Sequence, residues 1–454
     1  MQISNLLVPD LEQTLRQDPA QAAELAEELH DADLAELIDG LPDDLGVVML
    51  GTLPETQAAA VLDTMEAGRR AELVERLDRA KAARIADSMA ADERVDLIQS
   101  LPDEVGADLL SRLPHEASSD VRDLLRYPEN TAGGRMTTDY VALAPTLTVE
   151  RAIDEIRKLA EEKETINEIY AVDREGVLLG VVSLKALVTA RAGQPISAVM
   201  DADVVSVPSD LDQEDVARVF EHYGMGTVPV VDKARKLLGI VTVDDVVSVL
   251  KQEQAEDIQK LGAVQPTEGG YFQTDFWTFV RKRAGWLIAI FMGEILTASV
   301  LEHYEAARRA FTAIEVFVPL IISSGGNTGS QASSLVIRGL ALGEVAIGDV
   351  FRILWREARM GLVLGAFLGT IGLLRALLVG HSGGGGMAAA VGLALVVCVT
   401  FGSVVGALLP LLIKALGFDP AVSSGPFIAS LVDVAGIVIY LKIAILVLGA
   451  PHPP

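Results

Sequence analysis

Residues 319–338 read PLIISSGGNTGSQASSLVIR, an apolar segment interrupted by a run of small polar residues. Ser323, Ser324, Gly325, Gly326, Asn327, Thr328, Gly329, Ser330 and Gln331 stand where a membrane span is ordinarily greasy. Polar or non-helical backbone at bilayer depth is tolerated only where protein or water covers it. The stretch therefore predicts a broken span beside a substrate path. It lies among five predicted spans, at 284–303, 313–338, 358–380, 387–414 and 423–449. Arg281, Lys282 and Arg283 adjoin the first span. Arg352, Arg356, Arg359 and Lys414 fall on the same side, which the positive-inside rule makes cytoplasmic. His381 with the glycines after it, and the C-terminus, then fall outside. So do Arg308 and Arg309, against the rule, with Glu302 and Glu305 to offset them.

Two carboxylates fall inside the spans, Glu294 in the first and Asp433 in the fifth. A charge at bilayer depth costs at least ~2.5–3.5 kcal/mol, so each is a functional candidate. Ser430, Asp433, Gly436 and Tyr440 follow helical spacing, which predicts small neighbours and room for a hydrated ion beside Asp433. Glu294 reads as pore-lining, paired or protonated. Carboxylate, amide, hydroxyl and carbonyl oxygens without a His or Cys cluster suit a hard cation such as Mg²⁺, Ca²⁺ or Mn²⁺. Gly361, Gly365 and Gly369 make two successive GxxxG steps, a helix–helix contact. The single cysteine, Cys398, lies in an apolar run and reads as packing.

Residues 284–454 carry nine acids and nine bases, so the net charge of −26 falls wholly on residues 1–283. Such an acidic half speaks against nucleic acid, whose phosphates need Lys and Arg. It suits either a solvated surface or cation binding. The start, MQISNLLVPDLEQ, has no basic region followed by a long apolar core, which predicts no cleaved leader and a cytoplasmic front half.

Residues 1 to about 127 read as short amphipathic helices punctuated by Leu-Pro at 41, 53, 101 and 113. Proline suits a first helical turn and the acids after it suit the positive dipole end, so a helical solenoid is expected. Asp92 and Asp96 share a helix face. From Met136 to about Glu253 a strand–helix pattern occurs twice, with Gly180-Val-Val-Ser and Gly239-Ile-Val-Thr as equivalent strands. The second copy is acidic, through Asp210, Asp212, Glu214, Asp215, Asp244 and Asp245. Glu253, Glu256 and Asp257 follow in a polar, helix-prone connector ending at Gly262.

The duplicated middle resembles a tandem pair of cystathionine-β-synthase (CBS) domains. The whole order of parts is similar to the MgtE-type magnesium channel/transporter family. P-x-I-x-x-x-G-G-N-x-G-x-Q (Pro319 to Gln331), R-x-L-A-L-G-E (Arg338 to Glu344), D-P-A (Asp419 to Ala421) and D-V-x-G (Asp433 to Gly436) carry that likeness. The resemblance implies a multidomain fold. Residues 1–130 would form an α-helical superhelical regulatory domain and 131–252 an α/β tandem CBS pair. A connecting (plug) helix and linker would follow at 253–275, then a polytopic α-helical membrane domain at 276–454 with five spans per subunit. It further implies a homodimer in the plasma membrane that admits Mg²⁺ without hydrolysing ATP and is not an enzyme. Asp433 would line the ion site, with Asn327 and the Gly325, Gly326 and Gly329 backbone shaping it. Cytosolic Mg²⁺ would close the pore through Asp92, Asp96, Asp212, Glu214, Asp245, Glu253, Glu256 and Asp257. An adenine nucleotide is a candidate ligand of the CBS pair. Gly425, Gly224, Ser248, Ala60 and Ser330 depart from the family pattern, implying fewer or weaker bound ions. The alternatives are a Na⁺- or H⁺-coupled transporter using Glu294 and a non-transporting membrane sensor.

Overall fold

The computed structural model describes residues 4–26, 29–160, 163–267, 271, 274–310, 313–379 and 384–449. The chain divides into two compact units, Met1–Gln252 and Glu253–Pro454. The expected positions of His381 and of the C-terminal residues beyond Gly449 lie outside the described residues.

The first unit begins with short helices that recur every twelve residues. Their N-caps fall at His30, Pro42, Pro54, Glu66, Asp78, Ala90, Pro102 and Pro114. The prolines thus stand one place earlier than expected: Pro42 (φ −56°, ψ 146°) is itself the cap, and Asp43 is the first helical residue. That leaves the acid at the positive helix end. The residue before each proline is buried, Leu41, Leu53, Leu101 and Leu113 among them, as are Met65, Leu77 and Met89 in the proline-free repeats. Each helix packs on the one two places along, as in a superhelix.

The repeated middle forms two three-stranded sheets of one design. In the first, β1 (Val141–Leu143) runs parallel to β2 (Glu168–Val172), which is antiparallel to β3 (Leu178–Ser183). In the second, β4 (Val207–Pro208), β5 (Thr227–Val231) and β6 (Leu237–Thr242) repeat that order. The copies are stitched reciprocally. Leu178 N donates to Arg235 O and Leu237 N donates to Gly176 O, both at 2.9 Å. Tyr170 and Thr227 join their hydroxyls across the same seam at 2.9 Å.

The connector is one helix, Val243–Leu261, which starts ten residues before the expected position, directly after β6. Its left-handed exit is Ala263 (φ 58°) and not the anticipated Gly262.

Among its described residues the second unit holds five long helices: Phe276–His303, Ala313–Ala341, Val350–Val379, Gly384–Ala415 and Gly425–Leu448. By length and apolar content the first, third, fourth and fifth can cross a membrane. The first and third start eight residues before the spans read from hydropathy, because their basic N-terminal turns are helical too. The second is long enough, but its polar run keeps it out of that set. It is also unbroken, which corrects the expected interruption. The unbroken helix accommodates its hydroxyls: Ser324 Oγ donates to Leu320 O (2.7 Å) and Thr328 Oγ1 to Ser324 O (2.8 Å), so these polar side chains are satisfied within it.

The fourth long helix is the centre, touched by the second, third and fifth, while the first packs chiefly on the fifth. Glycines set these approaches, as the spacing predicts for the third helix. A methyl at Gly365 would stand 2.8 Å from Val396 O and one at Gly369 2.7 Å from Gly392 O. Gly402 and Gly406 seat against the Gly325 and Gly329 carbonyls so closely that neither admits a side chain. Cys398 is fully buried in this core. Gly365→Ala should therefore destabilise by about 1–3 kcal/mol as an overpacked site. Gly285→Ala, with open space around it, should be neutral or stabilise by up to about 1 kcal/mol. Thermal unfolding in detergent compares the two, and equal shifts would sink the packing argument.

Candidate functional site

Two sites emerge, one in each unit. In the membrane unit the second long helix is two-faced. Gly325, Gly329, Ala332 and Val336 are buried, whereas Ser323, Asn327, Gln331 and Ser334 lie exposed at helical spacing. Asn327 Nδ2 donates to Ser323 Oγ at 3.2 Å along that exposed stripe. Asp433 of the fifth helix borders it, half-buried: a methyl on Gly326 would stand 3.0 Å from Asp433 Oδ1. So Gly326 provides space beside Asp433. Gly436 and Tyr440, expected to share that space, instead face the core, where Cys398 Sγ donates to Gly436 O at 3.5 Å. Ser430 is also buried, against Gly293 of the first helix. Glu294, next in sequence, is exposed.

Sequence reasoning missed Glu357. It stands one residue before the predicted third span, yet it is buried, and its Oε2 accepts from Ser403 Oγ at 2.6 Å. Arg308 and Arg309 are neutralised, with Glu315 rather than Glu302 as the partner of Arg308.

The end of the connector belongs to this unit. Lys260 Nζ bridges Glu256 (3.1 Å) and Asp419 (2.8 Å). Asp419 also caps the turn before the fifth helix by accepting from Ala421 N at 2.8 Å. Burial, then the Asp419 charge, raises the Asp257 carboxyl above its ordinary range.

In the first unit the helix Ala91–Ser100 brings Asp92, Glu93 and Asp96 to the two repeated sheets and the helix after β6. Asp139 accepts from Ala91 N at 3.2 Å. Asp245 accepts from Thr242 Oγ1 at 2.8 Å. Asp63, Glu164 and Asp244 complete an acidic cluster, and their charges act on one another. Asp92 is pushed up to about 7 by burial and then by Glu164, and Asp245 to about 8 by burial and then by Asp92. Glu93 rises to about 8 through burial and Asp63, and Glu164 to about 7 through burial and Asp244. Arg135 offsets Asp96 from 3.6 Å. Asp92 Oδ1 is buried without a hydrogen-bond partner. Oxygen donors that repel one another and leave one atom orphaned fit a hard cation. Among the described residues, no three such side chains already stand at metal-binding spacing.

Asp92, Asp96 and Asp245 are thus brought together. Asp212 and Glu214 are placed elsewhere, Asp212 capping the helix Gln213–Tyr223 and Glu214 paired with Arg218 at 2.9 Å. Asp63, Glu93, Asp139 and Glu164 went unread. Only the fold reveals them, because their spacing in sequence carries no periodic signal.

Comparison with known proteins bears on both sites. The family description "Divalent cation transporter" matches residues 318–443, "MgtE intracellular N domain" residues 29–130, and "CBS domain" residues 132–193 and 196–252. The magnesium transporter MgtE of Thermus thermophilus is 41% identical over 330 residues, 73% of either chain. The chain belongs to the MgtE family. Membership makes it a magnesium transporter with a cytosolic helical domain and CBS pair. The Enterococcus faecalis magnesium transporter MgtE is 35% identical, over 71% of this chain and 70% of that one. Among solved structures, the soluble part of a magnesium transporter matches at 31% identity and TM-score 0.52, covering 56% of this chain and all of that one. The cytosolic domain of the Mg²⁺ channel MgtE in complex with ATP matches at 36% and 0.52, covering 54% and 100%.

Proposed function

We propose that two copies of this chain enclose a path for Mg²⁺ in the plasma membrane, lined by Asp433 and the Ser323–Asn327–Gln331 stripe. The observation that carries the reading is that stripe: polar groups exposed on one subunit at membrane depth. Lipid cannot satisfy them, so water and a second subunit must. This makes the second long helix the fifth span. The inside-negative potential favours entry of a divalent cation by ~2.3 kcal/mol per charge per 100 mV, so no ATP hydrolysis is required. Gly325 and Gly329 serve this path as the packing contact that fixes Asn327 and Gly326 beside Asp433.

The acidic cluster is the feedback sensor in this reading. Mg²⁺ held by Asp92 and Asp245, with Asp96 beside them, neutralises the repulsion and favours the compact state by its differential affinity. Asp212 and Glu214 stand apart from that cluster, in a helix cap and in an ion pair with Arg218. Glu253, Glu256 and Asp257 carry the change along the connector, where Lys260 already supplies one positive charge to Asp419. The solved relative containing ATP supports an adenine nucleotide as a second regulator of the CBS pair.

Mg²⁺ flux through the purified chain in planar bilayers tests the whole. Flux should persist without any Na⁺ or proton gradient and fall as Mg²⁺ rises on the side facing residues 1–252. Dependence on either gradient would move the reading to a coupled transporter using Glu294, and absence of flux to a sensor.

A further inference from the structure

The third long helix carries a second polar feature, on the side turned away from the fourth helix. Its buried stripe, Glu357, Gly361, Gly365 and Gly369, seats against the fourth helix. On the outward side Arg356, Arg359, Met360, Val363 and Leu364 line a groove of about 420 Å³. The two guanidiniums lie at the end assigned to the cytoplasm, and the apolar residues run on towards the bilayer centre, about 12 Å from Arg356 to Leu364 at helical rise. Among the described residues neither arginine has an acidic partner. The nearest acid in sequence, Glu357, is turned inward to Ser403. Trp355 is exposed at the same level, where aromatic rings mark the membrane interface, and the Arg359 guanidinium lies 5.6 Å from its ring centre.

We infer that this groove binds one anionic phospholipid, its phosphate held by Arg356 and Arg359 and an acyl chain laid along Met360, Val363 and Leu364. The charge pattern selects this occupant. Guanidinium binds phosphate oxygens in a bidentate fork. The cytoplasmic leaflet is negatively charged, and basic pockets on that side of a helical bundle hold anionic headgroups. A zwitterionic lipid would bring its own ammonium against two arginines. Occupation would fix the end of the helix that seats, through its glycines, on the central one.

Native mass spectrometry of the full chain in detergent, with phosphatidylglycerol or phosphatidylcholine added, tests this. The wild type should retain phosphatidylglycerol in preference to phosphatidylcholine. Arg356→Gln/Arg359→Gln should weaken that retention about thirtyfold, as expected for two basic residues at an anionic surface. Met360→Glu, which leaves both arginines in place, should weaken it as well. Arg375→Gln, an exposed arginine at the far end of the same helix, should leave it unchanged. Unaltered retention in the double variant or in Met360→Glu overturns the site, as does an equal loss in Arg375→Gln. Displacement of the lipid by millimolar inorganic phosphate would reassign the arginines to free phosphate. A cross-linked dimer from Val363→Cys, in a chain whose one native cysteine is buried, would show that a second copy covers the face.

Discussion

Asp433→Ala should cut Mg²⁺ flux by about a hundredfold, equivalent to ~2.8 kcal/mol at 1.4 kcal/mol per factor of ten. That is the scale of holding a charge at bilayer depth, which the protein sustains only where a cation or water answers it. Asp433→Asn separates charge from shape. The amide keeps one oxygen beside Gly326, so a path built on size alone would keep much of its flux, whereas one built on charge would lose as much as the alanine variant. Single-channel current or isotope uptake, with circular dichroism to check folding, distinguishes them. Undiminished selective flux in Asp433→Ala would move the ion site to Asn327 and Glu294.

The second large effect concerns the sensor. Asp92→Asn/Asp245→Asn should raise the cytosolic Mg²⁺ concentration needed for closure at least tenfold and leave maximal flux intact. The same variant has an opposite signature in stability. Asp92 and Asp245 titrate near 7 and 8 in the fold against an ordinary value of 3.8. A raised carboxyl favours the fold while protonated, so that contribution is complete below about 4 and is lost as pH rises through about 8. In chelator the wild type should therefore melt at falling temperature as pH rises from 5 to 8. Mg²⁺ at a hundred times its dissociation constant should restore about 2.7 kcal/mol. The asparagine pair should show a shallower pH slope, because Glu93 and Glu164 still titrate in the cluster, and no Mg²⁺ gain. A variant still closed by the same Mg²⁺ would relocate the sensor to the connector carboxylates.

The helical solenoid, the duplicated strand–helix pattern and the apolar helices were legible in the sequence, because each is a local periodicity: twelve residues, a repeated strand, an apolar run. Asp433 stood out for a related reason, as a carboxylate in an apolar helix, whereas the Asp92/Asp96 pair, one turn apart on a polar helix, was singled out only by the family resemblance. Pro319–Arg338 was read correctly as special and incorrectly as broken. Its hydroxyls are themselves satisfied by carbonyls one turn back, and its glycines serve contact with Gly402 and Gly406, more than sixty residues away.

What the tertiary structure alone decided is which side each residue faces. Gly436 and Tyr440 share a helix with Asp433 yet pack inward. Glu357 lies outside the predicted span yet is buried. Asp63, Glu93, Glu164 and Asp245 come from separate elements and acquire high proton affinities only where burial and one another's charge act together. Local sequence sets the period of an element through backbone geometry and side-chain type. Electrostatic coupling and burial depend on distances between elements, and those are fixed only when the chain packs.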